Sequence, residues 1–224
     1  TETAAMVCAL PPDRFLAGDG GCGQPLADVA LRLEEPHAAI AVRSGRLSPG
    51  WLENGVLQPL PQREGWWVSG DAGALAPAGL SVLGRLDGAI HSGGETVFPE
   101  LLEARLLGAA AAAGLPIEAV LLLAEPHPVW GERLVALVRG SQPEGGVVDS
   151  PERLLAALAA LTAHWLPAER PSRWLLCAEL APTPEGKFQR GEWQRWLLGQ
   201  AGSPSGGVRA AERPSPGLKP PASG

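Results

Sequence analysis

The sequence changes character near Gly84, and this change limits the possible folds more than any other feature. Before it, short apolar stretches such as residues 29–33 and 38–42 are separated by glycine, proline and asparagine, and no long segment has helical periodicity. Short strands joined by turns have this pattern. We therefore predict a small antiparallel sheet or barrel for residues 1–84.

After Gly84, apolar segments with strand and helix spacing alternate. The predicted elements are a helix over 99–113, strands over 117–124 and 133–139, a helix over 151–165, a strand over 174–180 and a helix over 191–198. Pro99 and Pro151 each suit the first turn of a helix, where proline is tolerated. This alternation predicts a compact α+β domain. From Gly199 onward glycine, serine and proline dominate, so we predict a disordered tail over residues 200–224.

Composition excludes two classes of partner. The net charge is −6 and the lysines and arginines form no basic stripe, which argues against nucleic-acid binding. The longest apolar run, residues 106–115, is alanine-rich and broken by glycine, so it is too short to span a membrane. The chain opens on Thr1-Glu2-Thr3 without the charged segment of a signal peptide, so we expect a cytoplasmic protein.

Cysteine and histidine spacing gives no sign of a metal site built from protein ligands. Cys8, Cys22 and Cys177 form no CxxC pair, and none of the four histidines belongs to an HExxH pattern. We therefore expect free thiols rather than a disulfide framework or a zinc site.

The strongest local signal is the sequence GRLDGAIHSGGETVFP over residues 84–99. A strand-like run leads into two adjacent glycines, which permit positive φ or a close approach to a ligand. An acidic residue, an apolar triplet and a helix-starting proline follow. Taken alone, these residues also fit an ordinary tight turn between a strand and a helix.

This stretch resembles the signature GRxDxxIxxGGExVxPxExE of the acyl-adenylate-forming superfamily, which includes acyl-CoA synthetases, luciferases and peptide-synthetase adenylation domains. Four further matches occur in the family's order: TET at residues 1–3, GWWVSGDAG at 65–73, WGE at 130–132 and PTPEGKFQR at 182–190. Together they cover nearly all of residues 1–195. The sequence departs from the commoner spelling at His91 and at the apolar pair between Glu100 and Glu103, to which we assign no role.

The resemblance implies an α+β fold class. It predicts the end of a large adenylation domain, with short strands and a small β-barrel-like subdomain, followed by a small mobile α+β domain. The large AMP-binding domain would end at residue 86, so residues 1–86 are its C-terminal part. Residues 87–199 would form the mobile lid domain, with its hinge at Asp87. The family's phosphate loop precedes the matched motifs, so the chain corresponds to the C-terminal part of such an enzyme.

The resemblance also assigns residues to nucleotide binding. In this family, ATP and a carboxylic acid give an acyl-AMP and pyrophosphate. Asp71 matches the carboxylate that accepts hydrogen bonds from the ribose hydroxyls, and Arg85 matches an arginine that contacts the nucleotide. Thr1 matches a phosphate-contacting hydroxyl, and Glu2 matches the carboxylate that helps to hold Mg²⁺ with ATP. Without the flanking motifs, Asp71 would fit a turn and Arg85 a solvated surface position.

Lys187 matches the lysine that reaches into the site during adenylation. Its charge would bridge the reacting carboxylate and the phosphate oxygens, where negative charge builds in the transition state. The residues around it would otherwise suggest an ordinary hairpin lysine. Asp87 matches the position about which the lid domain rotates after adenylation, a change that needs only a few backbone angles.

That rotation would bring the glycine-rich segment to the site. Gly93, Gly94 and Glu95 match the residues that line the tunnel through which the CoA thiol reaches the acyl-AMP. Glycine would allow the thiol to pass close to the backbone. Trp130 is a further candidate for contact with CoA, and a core tryptophan is an equally good interpretation.

Two short segments narrow the choice of ligase. Residues 171–175 (PSRWL) and 193–197 (WQRWL) resemble the corresponding ends of 2-succinylbenzoate–CoA ligases of menaquinone and phylloquinone synthesis. We therefore predict an acid–thiol ligase that uses ATP with Mg²⁺, an aromatic carboxylic acid and CoA, and that is inactive as an isolated fragment. The alternatives are another aryl- or acyl-CoA synthetase, a peptide-synthetase adenylation domain, or a non-catalytic nucleotide-binding remnant.

Overall fold

The computed structural model describes residues 2–3, 5–141, 151–184 and 186–200. These residues form two compact units, of which the first ends at Ala89 and the second begins at Ile90. No helix in the described part of the chain is long and apolar enough to cross a membrane. Some positions that carry predictions lie outside the described residues: Thr1, Glu185 and the tail from residue 201 onward.

The first unit consists mainly of short strands. Their bounds are β1 Cys8–Ala9, β2 Gln24–Pro25, β3 Ala30–Glu34, β4 Ala39–Arg43, β5 Gly50–Glu53, β6 Val56–Pro59, β7 Gln62–Arg63, β8 Trp66–Ala76 and β9 Gly79–Arg85. One short helix, α1, spans Pro12–Leu16, and a 3-10 turn spans Leu86–Gly88. The strand pairings described in this unit are antiparallel, as the sequence predicts.

The main sheet of the first unit has the strand order β3-β4-β8-β7, and β9 pairs with the second half of β8. Val29, Ile40, Val42 and Leu80 form its small core. The structure differs from the predicted barrel. Among the described strands, β3 pairs only with β4, and β7 pairs only with β8. The sheet therefore has two open edges and does not close.

The second unit mixes helices with one sheet, which confirms the predicted α+β class. Its elements are β10 Ile90–Ser92, β11 Glu95–Val97, α2 Pro99–Ala112, β12 Ile117–His127, β13 Gly131–Gly140, α3 Pro151–Thr162, β14 Arg173–Leu176 and α4 Arg190–Gln200. The strand order is β11-β10-β13-β12, and β14 runs parallel to β13. Strand β12 thus lies at an edge of the sheet.

Strands β12 and β13 are buried on both faces. Alternate side chains enter two separate apolar clusters, because successive residues of a strand point to opposite faces. Val120 and Leu122 pack in one cluster with residues of α2 and α3. Leu121 and Leu123 pack in the other with residues of α4. A strand covered on both faces has a continuous apolar run, which residues 119–123 show.

Most predicted elements of the second unit are present, with changes at their ends. Helix α2 confirms the helix predicted over 99–113, and β12 extends beyond its predicted end. The strand predicted to reach Leu180 is wrong at its C-terminal end, since β14 stops at Leu176. The chain turns at Cys177, whose carbonyl oxygen accepts a hydrogen bond from the Leu180 N–H at 3.2 Å. Both residues are buried, so their apolar pattern continues past the strand.

Burial along α2 gives a test of this core. Leu106 is fully buried, whereas Leu101 on the same helix is 43% exposed. We expect Leu106→Ala to lower the free energy of unfolding by about 2–5 kcal/mol, through lost apolar contact and the cavity left behind. Leu101→Ala should cost less than about 1 kcal/mol. Denaturant unfolding measures both, and equal losses would contradict the packing of α2.

Candidate functional site

Asp71 and Arg85 face each other across two paired strands. Asp71 in β8 lies opposite Arg85 in β9, and the guanidinium Nη1 is 3.9 Å from the Asp71 Oδ1. Gly70 leaves room for this arrangement, because a Cβ atom there would lie 3.2 Å from the guanidinium. Antiparallel pairing therefore brings together the two residues for which nucleotide contacts are predicted in this unit's strands.

Arg85 is also bound by the predicted hinge residue. Its Nε and Nη2 donate hydrogen bonds of 3.0 and 2.8 Å to the two carboxylate oxygens of Asp87. The guanidinium lowers the pKa of Asp87, and the carboxylate raises the pKa of Arg85. Asp87 lies in the 3-10 turn Leu86–Gly88, just before the first unit ends at Ala89. Both side chains are largely exposed, so solvent screens this pair and a ligand can compete for it.

A cavity of about 390 Å³ opens beside Asp71 in the first unit. Its volume is in the range of small-molecule sites. Glu2 and Asp71 supply carboxylates to its wall, and the apolar part includes Ile40, Val42 and Leu80. Glu2 also contributes to the raised pKa of Arg85 through its charge. Three of the predicted nucleotide and magnesium residues of this unit are therefore neighbours, while Thr1 lies outside the described residues.

The described residues contain no group of three or more histidine, cysteine, aspartate or glutamate side chains that could hold a metal ion. Mg²⁺ commonly uses one or two carboxylates together with phosphate oxygens and water. Glu2 at the cavity wall fits the role of such a carboxylate, with ATP supplying the phosphate oxygens.

In the second unit, Gly93 and Gly94 form the turn between β10 and β11. Both have positive φ, +60° and +88°, as a two-residue hairpin turn of this kind requires. The Gly93 N–H donates a hydrogen bond of 2.9 Å to the carbonyl oxygen of Trp130. A Cβ atom on Gly93 would lie only 2.5 Å from the indole ring. Glycine is therefore needed at 93 so that Trp130 can lie against the backbone.

The indole of Trp130 also lies next to a cation. The guanidinium carbon of Arg133 lies 4.6 Å from the ring centroid, a distance typical of cation–π contact. Gly94 and Glu95 remain exposed next to this stack. All four residues predicted to line the CoA tunnel thus lie on one surface of the second unit, and Trp130 also contacts the core.

Lys187 lies on a short loop that is closed by backbone hydrogen bonds. The Thr183 N–H donates to the Lys187 carbonyl oxygen at 2.7 Å, and the Gly186 N–H donates to the Thr183 carbonyl oxygen at 2.8 Å. Gly186 has φ of +78°, which favours glycine. The Lys187 residue is exposed. An exposed lysine at the closing end of such a loop has a long side chain that can reach a ligand while its backbone stays hydrogen-bonded.

The contacts of Arg190, the last residue of this loop's motif, were not predicted from the sequence. Arg190 closes the motif, and it binds Glu100 and Glu103 of α2, for which no role is predicted. Glu103 is buried, and burial raises its pKa although the charge of Arg190 acts in the opposite direction. The sequence offered one signal for this contact: two acidic residues and one arginine, of opposite charge, lie at the ends of separate motifs.

Curated proteins that are similar to this chain include several 2-succinylbenzoate–CoA ligases. No protein-family model matches the chain. It is 28% identical over 197 residues to the 2-succinylbenzoate–CoA ligase of Salmonella typhimurium, covering 88% of this chain and 39% of that ligase. Identity to the ligase of the same name from Escherichia coli K12 is 28% over 200 residues, covering 89% and 40%. The chain therefore spans about two fifths of the length of these curated relatives.

Solved structures agree with these relatives. Wild-type E. coli MenE with a bound m-phenylether-linked analogue of OSB-AMS is 27% identical, with a TM-score of 0.60 over 89% of this chain and 39% of that one. The o-succinylbenzoate CoA synthetase of Bacillus subtilis in complex with OSB-AMP has a TM-score of 0.68 over 86% and 39%. At 22% identity, the second likeness supports the fold alone. The predicted resemblance to the C-terminal part of 2-succinylbenzoate–CoA ligases is confirmed.

The glycine turn gives a test of the second-unit site. We expect Gly93→Ala to destabilise the chain by about 1–3 kcal/mol more than Gly94→Ala, because only the first adds a clash with Trp130 to the strain of positive φ. A Cβ atom on Gly94 meets nothing within 4 Å. Thermal or denaturant unfolding of the two variants provides the comparison. Equal destabilisation would mean that Trp130 does not lie against Gly93.

Proposed function

We propose that this chain is the C-terminal part of an ATP-dependent acid–CoA ligase whose acid is 2-succinylbenzoate. Such an enzyme joins the acid to AMP with release of pyrophosphate, then transfers the acyl group to the CoA thiol with release of AMP. The proposal rests on the alignment to ligases of that name, which covers 88–89% of this chain at 28% identity. These relatives favour the ligase over a peptide-synthetase adenylation domain or a non-catalytic remnant.

Asp71 and Arg85 would bind the nucleotide. The Asp71 carboxylate can accept hydrogen bonds from both hydroxyls of a ribose, since it has two acceptor oxygens. Arg85 carries a permanent positive charge and forms ion pairs with the exposed carboxylates of Asp71 and Asp87. A nucleotide phosphate or ribose could replace one of these contacts at little cost, because exposed pairs are weak.

Glu2 would hold Mg²⁺ together with the phosphates of ATP. The ion supplies charge neutralisation at the phosphates when ATP is bound. Glu2 and Asp71 both line the cavity of the first unit, so the two ends of a bound nucleotide would have carboxylate contacts there. Thr1, outside the described residues, would add a hydroxyl next to Glu2.

Lys187 would act in the first chemical step only. Its ammonium group would contact the reacting carboxylate and the phosphate oxygens as negative charge develops between them. Two observations support this role. Lys187 is exposed, and it directly follows Gly186, a glycine of positive φ, in a loop closed by backbone hydrogen bonds. We infer that rotation about Asp87 then removes the lysine from the site.

The second step would use the surface around the glycine turn. Gly93, Gly94 and Glu95 would border the path of the CoA thiol, and Trp130 would contact the coenzyme. The indole of Trp130 leaves no room for a side chain at position 93, and position 94 is also glycine, so the backbone of the turn is not covered by side chains of its own. We further propose a cytoplasmic enzyme that supplies an acyl-CoA to menaquinone or phylloquinone synthesis, without a nucleic-acid partner.

A fusion protein tests the proposal. This chain replaces the matching C-terminal part of the E. coli 2-succinylbenzoate–CoA ligase, and the joined protein receives 2-succinylbenzoate, ATP, Mg²⁺ and CoA. We expect 2-succinylbenzoyl-CoA and AMP, measured by chromatography, whereas the E. coli N-terminal part alone should form no thioester. No AMP release with 2-succinylbenzoate or any other aryl acid would contradict the proposal.

Two variants of the joined protein serve as a matched pair. Asp71→Asn should raise the KM for ATP by about tenfold or more, because an amide offers one acceptor oxygen to the ribose instead of two. Asp13→Asn changes an exposed carboxylate on α1 and should leave the KM within about twofold.

A further inference from the structure

The side chain of Arg190 contacts three groups at once inside the second unit. Its Nη2 is 2.6 Å from Glu103 Oε2, its Nε is 3.0 Å from Glu100 Oε1, and its Nη1 donates a 3.1 Å hydrogen bond to the Leu122 carbonyl oxygen. The side chains of Arg190 and Glu103 are 26% and 10% exposed. We call these four residues the Arg190 clamp.

The clamp supplies hydrogen-bond partners to backbone groups at an open edge of the sheet. Strand β12 has β13 on one side only, so some of its backbone groups lack a strand partner. Leu122 is such a position: Glu103 Oε1 accepts its N–H at 2.6 Å, and Arg190 donates to its carbonyl oxygen. Both oxygens of Glu103 are therefore used, one by the backbone and one by Arg190.

Helix stability alone does not explain an arginine at this position. Arg190 is the first residue of α4, where the positive end of the helix dipole disfavours a cation. The contacts with Glu100 and Glu103 must offset that cost. A second residue of α4, Gln194, also binds the edge of β12, through the N–H and carbonyl oxygen of Ala124.

The clamp holds Arg190, which lies three positions after Lys187 in the chain. Two residues, Phe188 and Gln189, lie between the two positions. The Lys187 Cα is therefore at most three Cα–Cα steps, about 11 Å, from that of Arg190. The loop itself is closed between Thr183 and Lys187, and Phe188 packs partly against the buried cluster next to α4. Fixing Arg190 therefore restricts where the lysine can move.

We propose that Arg190, held by Glu103 and Glu100, is a positioning residue that fixes the Lys187 loop for adenylation. The inference rests on the function proposed above for Lys187. It assigns Arg190 no contact with substrate: the guanidinium acts by holding the start of α4 on α2 and β12, and so determines where the lysine can reach.

Limited proteolysis of this chain tests the mechanical part of the proposal. The sequence has two lysines, Lys187 and Lys219, so a protease that cuts only after lysine reports opening of the loop, and the two cuts differ in fragment mass. We expect Arg190→Met and Glu103→Gln to speed cleavage after Lys187 by about tenfold, because cleavage follows the population of the open loop.

Arg195→Met is the matched control, since Arg195 is an exposed arginine of the same helix whose guanidinium Nε donates a hydrogen bond to the Gly191 carbonyl oxygen at 3.2 Å, within α4 itself. It should change the rate less than about twofold. Circular dichroism at the digestion temperature checks folding. If Arg190→Met unfolds, Glu103→Gln decides, because glutamine keeps an acceptor for the Leu122 N–H. Unchanged cleavage in the folded clamp variants would overturn the proposal.

A double-mutant cycle in the joined protein tests the functional part. Arg190→Met should slow acyl-AMP formation by about tenfold or more when Lys187 is present, and by less than about twofold in a Lys187→Ala background. Equal losses in both backgrounds would show a general structural effect and overturn the positioning role. If the joined protein with native residues forms no thioester, the proposed ligase function fails, while the proteolysis result still decides whether the clamp holds the loop.

Discussion

The pairing of Ile117–His127 with Gly131–Gly140 is the constraint on which the second unit depends. It presents apolar side chains to both faces, so one face is covered by α2 and α3 and the other by α4. The same pair of strands receives the glycine turn through Ser92 opposite Gly131. Its open edge is bound by Arg190 and Gln194. The hairpin that contains the glycine turn and the first residues of α4 are thus both bound to this pair of strands.

Two arginines each lie between two carboxylates, and the different roles that we propose for them follow from their different environments. Arg85 is largely exposed between Asp71 and Asp87, where screening keeps each contact weak and exchangeable. Such a group suits a site that must accept and release a nucleotide. Arg190 is mostly buried with Glu103, where removing one partner leaves an uncompensated charge. That arrangement suits a fixed support.

The sequence was sufficient for features that depend on local pattern. Helix α2 follows from its apolar spacing and from Pro99, and β12 follows from a continuous apolar run. Contacts between distant segments leave no periodic signal: Glu103 and Arg190 are 87 residues apart, and their pairing was not predicted. The turn at Cys177 was hidden by buried residues on both sides of it. The motifs located Asp71, Gly93 and Lys187, whereas their chemical roles remain predictions.

We propose that the second unit serves both chemical steps, with Lys187 acting in the first and the turn at Gly93 and Gly94 in the second. The most direct test compares the half-reactions of the joined protein with and without Lys187→Ala. Rapid-quench kinetics should show acyl-AMP formation slowed by about 10²–10³-fold, with thioester formation from preformed acyl-AMP changed by less than about threefold. Comparable slowing of both half-reactions would contradict the account.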